Sequence, residues 1–148
     1  MSTSNADLYR RWLLEMWNGQ PELADELVPP DFVVHQARTD GAESEARRGP
    51  DAVKEMIAMG HAPFEGLRFE IEVGPISEGE YVAARWRGQG RYRGGMPGAT
   101  APAGTEVMFG GMDILRVEDG RFAEYWVSSD GLSLMEQLGA LGGQAQED

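Results

Sequence analysis

The hydrophobic positions of the chain follow a helical period at the start and a period of two from about residue 67 onward. Apolar residues three and four apart predict a first helix with one buried stripe. Ser4, followed by Asp7, is the expected cap of this helix, and Gly19 is the expected stop. The stripe consists of Leu8, Trp12, Leu13, Met16 and Trp17.

Two further helical segments are expected before the long strands begin. The segment Pro21–Leu27 predicts a short helix that Pro29 and Pro30 end, because proline cannot continue a helix. Pro50 stands at the first turn of a third helix, and Gly60 follows its last turn. The apolar face of this third helix consists of Val53, Met56 and Ile57.

Alternating apolar and polar residues predict the strands. The sequence Glu118-Asp119-Gly120 is the clearest hairpin signal, and Ser129 or Asp130 is expected to cap a last helix. Helices followed by a run of strands predict an α+β fold, with helices on the concave face of a strongly curved antiparallel sheet. The predicted strands are Phe32–Ala37, Leu67–Val73, Tyr81–Tyr92, Glu106–Val117 and Phe122–Ser128.

Composition narrows the class of protein. The length of 148 residues predicts a single domain, with a core at about residues 5–141 and a short flexible C-terminal tail. A net charge of −12 argues against nucleic acid and anionic membranes as partners. The chain has no cysteine, which removes disulfides and thiolate chemistry. Arg10 and Arg11 interrupt the apolar residues at the start, so we expect a cytoplasmic protein without a signal peptide.

Three segments together resemble the SnoaL-like polyketide cyclase family. They are Gly110–Leu141, with the sequence GGMDILRVEDGRFAEYWVSSDGLSLMEQLGAL, the loop Gly95-Met96-Pro97, and Arg48–Val53 with the sequence RGPDAV. The resemblance implies a cone-shaped single domain like nuclear transport factor 2 and ketosteroid isomerase. It also implies a homodimer formed through the outer sheet face, and cyclisation of a polyketide-like substrate without metal or cofactor.

The family's catalytic pair carries over only in position. Counting back from the Asp-Gly hairpin puts the pocket histidine of the aldol cyclases at Asp113. Counting forward puts their acid/base aspartate at Val127. The resemblance therefore implies the activity class and leaves the usual pair incomplete.

Asp113 is the first candidate for catalysis, because it interrupts an apolar strand segment. A three-residue turn would place it opposite Tyr125, and a two-residue turn opposite Trp126. On the buried face its pKa should rise, which suits proton transfer near neutral pH. The alternative is a structural aspartate bonded to a neighbouring arginine or tyrosine.

His35 is the second candidate, since histidine titrates near pH 7. A structural role is the alternative for this residue. Two histidines without close spacing give no metal site. Large apolar side chains are expected to line an internal pocket for the substrate. The expected lining residues are Trp17, Met56, Trp86, Phe109, Tyr125 and Val127.

The sequence supports three hypotheses for function. The first is a cofactor-free cyclase or isomerase for a polyketide-like intermediate, with a polyene as one option, acting through Asp113 with or without His35 or by folding the substrate for a cycloaddition. The second is a non-catalytic carrier or sensor of a small apolar ligand. The third is a dimeric accessory protein without a ligand.

Overall fold

The computed structural model describes residues 4–36 and 47–140. Most of the polar loop expected at residues 38–48, the last residue of the predicted strand Phe32–Ala37 and the C-terminal tail lie outside these ranges. Within them, no helix combines the length and apolar character needed to cross a membrane.

Most helical segments precede the long strands, and one short helix follows the last strand. Ser4 caps the first helix as expected, since its Oγ accepts a hydrogen bond from the Asp7 N–H at 3.0 Å. Asp130 caps the last helix by accepting from the Ser133 N–H at 3.1 Å. The segments are α1 (Asn5–Arg10), a π-helical turn (Arg11–Met16), a 3₁₀ turn (Pro21–Leu23), α2 (Ala24–Leu27), α3 (Gly49–His61) and α4 (Gly131–Gln137).

Six strands form one sheet in the order β2-β1-β6-β5-β4-β3. The α+β fold expected from the sequence is confirmed, but the sheet is mixed, because β1 runs parallel to β6. A hairpin would force these two strands to be antiparallel, but a long stretch of chain separates them, so β1 can pair with β6 in either direction. The strands are β1 (Val33–Gln36), β2 (Arg47–Arg48), β3 (Phe64–Glu78), β4 (Tyr81–Tyr92), β5 (Glu106–Glu118) and β6 (Arg121–Ser129).

The hairpin between β5 and β6 sets which residues face each other near the candidate site. Asp119 and Gly120 both have positive φ angles, 55° and 77°, as a two-residue type I′ turn requires. The register then shifts by one residue next to Arg116, where β6 contains a bulge. Asp113 therefore lies opposite Val127, so both expected partners, Tyr125 and Trp126, were wrong.

Irregular pairing also bends the sheet. The ladder between β3 and β4 shifts at three places, and each shift adds local twist and curvature. The first helix and the π-helical turn pack against the inner face, where Trp12 contacts the rings of Phe122 and Tyr125. The core thus lies between these helical turns and the inner side chains of the sheet.

Candidate functional site

Asp113 lies in the middle of β5 and points into the core. It is 1% exposed and is the single fully buried polar or charged residue in the described part of the chain. Its neighbour two positions along the strand, Leu115, is also buried, while Met112 and Ile114 point to the outer face. The alternation of β5 therefore puts one carboxylate among apolar side chains, as the sequence predicted.

Three side chains from three different elements donate hydrogen bonds to this carboxylate. The Tyr9 hydroxyl donates to Oδ2 at 2.8 Å. The Trp86 indole Nε1–H donates to Oδ1 at 2.9 Å, and the Tyr125 hydroxyl donates to the same oxygen at 3.3 Å. A carboxylate offers about four acceptor positions, so one position remains, and it is on Oδ2.

Burial dominates the protonation of this group. Desolvation raises the pKa of Asp113 from 3.8 to about 6, although the hydrogen bonds from Tyr9, Trp86 and Tyr125 act to lower it. The same burial raises the pKa of Tyr125, and the nearby negative charge of Asp113 adds to the rise. Burial followed by the charge of Asp113 also raises the pKa of Tyr9. The cluster therefore contains one group that exchanges a proton near neutral pH and two phenols that stay protonated.

A glycine on β5 allows Trp86 to reach Asp113. A Cβ at Gly111 would lie 2.7 Å from Cε2 of the Trp86 indole, closer than real Cβ atoms approach. Gly111 pairs directly with Trp86 across the sheet, and the indole occupies the space that a side chain at Gly111 would need. Glycine inside a strand often marks such a close approach.

Three of the expected pocket residues, Trp17, Trp86 and Phe109, form an aromatic wall together with Phe69. The ring centroid of Trp86 lies 5.3 Å from that of Phe69 and 5.8 Å from that of Phe109. Trp17 continues this row, with its centroid 5.5 Å from Phe69. Trp17, Phe109 and Met56 are partly exposed, whereas Trp86, Tyr125 and Val127 are buried.

His35 does not join this cluster. It lies on the outer face, where its ring stacks on Trp126 with centroids 5.1 Å apart, while its neighbour Val34 points inward. Its Nε2 lies 2.8 Å from a carboxylate oxygen of Glu124. Burial acts to raise the pKa of Glu124, but hydrogen bonds from His35 and Arg116 hold it below its ordinary value. The structure thus separates the two expected catalytic residues by the thickness of the sheet.

The sequence matches the family described as SnoaL-like polyketide cyclase over residues 7–138. The chain belongs to the SnoaL-like polyketide cyclase family. A comparison with curated proteins finds no match.

Solved structures similar to this SnoaL-like chain include proteins from Streptomyces and Catenulispora species. TsrD from Streptomyces laurentii is 29% identical, with a TM-score of 0.71, and the match covers 90% of this chain and 93% of that one. IdmH from Streptomyces antibioticus, a candidate polyketide cyclase, is 25% identical, with a TM-score of 0.79 and coverage of 93% and 99%. A protein with a ketosteroid isomerase-like fold from Catenulispora acidiphila is 17% identical, with a TM-score of 0.69 and coverage of 90% and 92%, which shows the fold alone.

Two residues of the SnoaL-like site were missed in the sequence. Tyr9 precedes Trp12 and Leu13 by three and four positions, so helical spacing placed it on the buried stripe. The pair Gly110-Gly111 inside a strand signalled a close approach, though not which side chain makes it. In the part of the SnoaL-like chain that is described, no three acidic or histidine side chains group together as metal ligands would.

Proposed function

We propose that the protein is a cofactor-free cyclase or isomerase that acts on a polyketide-like intermediate of secondary metabolism. One observation carries the proposal: Asp113 is a buried carboxylate, bonded by three donors from three elements, whose pKa burial raises to about 6. Family membership supports a polyketide-like substrate.

The proposed chemistry is proton transfer on a substrate folded against the aromatic wall. Ionised Asp113 takes a proton from an acidic carbon of the substrate at Oδ2, and it returns the proton once the ring has closed or the double bond has moved. Its pKa of about 6 suits both directions near neutral pH. Trp17, Trp86 and Phe109 supply flat, polarisable surface that favours a folded, unsaturated substrate. Holding the reacting atoms together lowers the barrier further.

Asp113→Asn tests the acid/base role. We expect the variant to fold and to lose about 10²–10⁴-fold in turnover of a linear β-keto polyene probe, the usual scale for a general acid/base. The matched control is Asp119→Asn, the same change in the exposed β5–β6 turn, which should turn over normally. Unchanged turnover by the Asp113 variant would rule out proton transfer by Asp113.

A carrier or sensor of a small apolar ligand is the second candidate function. The favouring observation is that Tyr9, Trp86 and Tyr125 fill three of the acceptor positions of Asp113, as a purely structural network would. In that case Asp113→Asn should bind the probe unchanged, no turnover should occur in either protein, and the variant should lose about 1–3 kcal/mol of stability.

The outer sheet face supports a homodimer. Its centre is an apolar patch made of Tyr81, Met108, Met112, Ile114 and Trp126, all on the side of the sheet away from the core. Beside it, Arg85 pairs with Glu72 and Arg87 with Glu70, so charges of both signs border the patch. A second copy presents the same apolar surface and the same mixed charges. We expect this dimer to work in the cytoplasm, in keeping with a chain that has no cysteine.

A further inference from the structure

Three buried side-chain donors lack a partner among the described residues, Trp12 Nε1, Trp17 Nε1 and Arg87 Nε, and of these Trp17 Nε1 belongs to the aromatic wall. The Nε1 atom of Trp17 is buried and makes no hydrogen bond to any described residue. Buried donors are nearly always paired in folded proteins, because an unpaired donor has lost its water without replacement. An indole N–H only donates, so the group that would pair with it is an acceptor.

A π-helical turn of the backbone directs the Trp17 indole toward the sheet. The Trp17 N–H bonds to the Trp12 carbonyl at 3.1 Å, five residues back, as in a π-helical turn. In an α-helix, residues five apart lie about 140° apart around the axis. A π-helical turn instead brings them roughly one turn apart, and such turns are frequent at functional sites. Trp12 and Trp17 therefore both face inward.

The surroundings of Trp17 fix which edge of its ring points inward. His61 Nε2 donates to the Trp17 carbonyl at 2.7 Å, which holds the backbone against α3. A Cβ at Gly60 would lie 3.4 Å from Cζ3, an atom on the ring edge opposite Nε1. The helix thus packs against the far edge, and the N–H edge points away from it. Although the side chain is partly exposed, Nε1 is buried, so the N–H edge is the inner one.

Trp17 is connected to Asp113 through the rings of the aromatic wall. Asn18 bonds both the N–H and the carbonyl of Phe69, at 2.7 and 2.9 Å, and so locks the segment after the helical turn onto β3. Trp17 contacts Phe69, Phe69 contacts Trp86, and Trp86 donates to Asp113. The unpaired donor and the proton-exchanging carboxylate therefore stand at the two ends of one row of rings.

We propose that the Trp17 indole N–H donates a hydrogen bond to a carbonyl oxygen of the bound ligand. This contact rests on the proposed function and narrows it to carbonyl-bearing ligands. With its oxygen held at Trp17, a ligand laid along Phe69 and Trp86 directs its other end toward Asp113. Trp17 is then a binding residue that selects a ketone or ester over a hydrocarbon of the same shape.

Two probes of matched shape test the proposal, 2-acetylnaphthalene and 2-ethylnaphthalene. We expect Trp17→Phe to weaken binding of the ketone by about 5–30-fold, the worth of one hydrogen bond left unmade, and to leave the hydrocarbon within about twofold. Trp126→Phe, the same change on the outer face, should alter neither affinity. In the unmodified protein, the Trp17 indole proton should move downfield on saturation with the ketone and stay in place with the hydrocarbon.

Each other outcome contradicts a defined part of the argument. If both probes bind but the Trp17 indole proton does not move, or if Trp17→Phe weakens both probes equally, this inference is wrong and the proposed function stands. The proton resonance is read in the unmodified protein, so the test does not depend on the variant folding. If neither probe binds the unmodified protein, the pocket itself is wrong, and both the inference and the proposed function fall.

Discussion

Asp113 combines two opposite influences at a single carboxyl group. Three donors stabilise its ionised form, yet removal from water outweighs them and leaves the pKa at about 6 instead of 3.8. Taking a buried carboxylate out of water often costs more than its partners return. The raised pKa therefore marks a group whose charge is costly in the resting protein, which is what proton transfer needs.

The raised pKa predicts how stability changes with pH. The folded pKa lies above the unfolded value, so the folded protein binds more protons between pH 4 and 6. The contribution of Asp113 is fully present below pH 4 and is lost as pH rises through about 6. The gap between 3.8 and about 6 corresponds to about 3 kcal/mol.

Urea denaturation of the unmodified protein and Asp113→Asn at pH 4, 5, 6 and 7.5 measures this contribution. Subtracting the two curves removes every other titrating group that the proteins share. The stability of the unmodified protein relative to the variant should fall as pH rises. A difference that rises with pH would mean that the three donors outweigh burial, and a constant difference would mean that the pKa of Asp113 is unchanged by folding.

Gly111→Ala should disturb the site through Trp86. The new methyl group would meet the indole and also the Ser128 carbonyl oxygen, at 2.8 Å. Moving the ring breaks its hydrogen bond to Asp113, and we expect a loss of about 1–3 kcal/mol in stability together with reduced turnover. Gly131→Ala is the control, since a Cβ there meets nothing within 4 Å. Equal behaviour of the two variants in thermal unfolding would contradict the close approach.

At the residue scale, the sequence identified the unusual carboxylate and missed one of its three partners, Tyr9. Asp113 was predictable because a lone charge between Met112 and Ile114 breaks an apolar run. Tyr9 was not, because it comes from a helix 104 positions away, and only tertiary packing brings its hydroxyl to Oδ2. His35 was the second candidate because histidine titrates near pH 7, and strand alternation alone could not show that it faces outward.

At the element scale, local signals located the hairpin but could not give its register. The Asp-Gly pair predicted the turn, since both residues adopt positive φ readily. The bulge near Arg116 carries no such signature, and its one extra residue changed the partner of Asp113. The π-helical turn was equally hidden, because the apolar stripe of Trp12 to Trp17 fits a regular helix.

Gly120→Ala should loosen this hairpin. Its φ of 77° is strained for a side chain although no atom lies near, so we expect a loss of about 1 kcal/mol, the backbone cost of left-handed conformation. Asp119→Asn, at φ 55°, should be nearly neutral, because asparagine tolerates this region. Chemical denaturation compares the two. A neutral Gly120→Ala would show that a side chain adopts this left-handed conformation without cost.

At the scale of the whole molecule, the switch from helical to alternating periodicity predicted the α+β architecture. The helices could bury their stripe only on one face of the sheet, and that is where they pack. The parallel addition of β1 beside β6 could not be predicted, since no local turn connects them. Nor does the sequence say whether the outer face remains open to solvent.

Met112→Glu should separate the proposed dimer. Met112 is 56% exposed at the centre of the outer apolar patch, and its neighbour Ile114 is 46% exposed. In a symmetric dimer each change places two carboxylates at the interface, where losing water and mutual repulsion both oppose association. Sedimentation velocity at micromolar concentration should show a dimer for the unmodified protein and a monomer for the variant. The control is Met59→Glu, on α3 and 60% exposed, which should remain dimeric. A monomeric unmodified protein, or a dimeric Met112→Glu, would show that the outer face is not the interface.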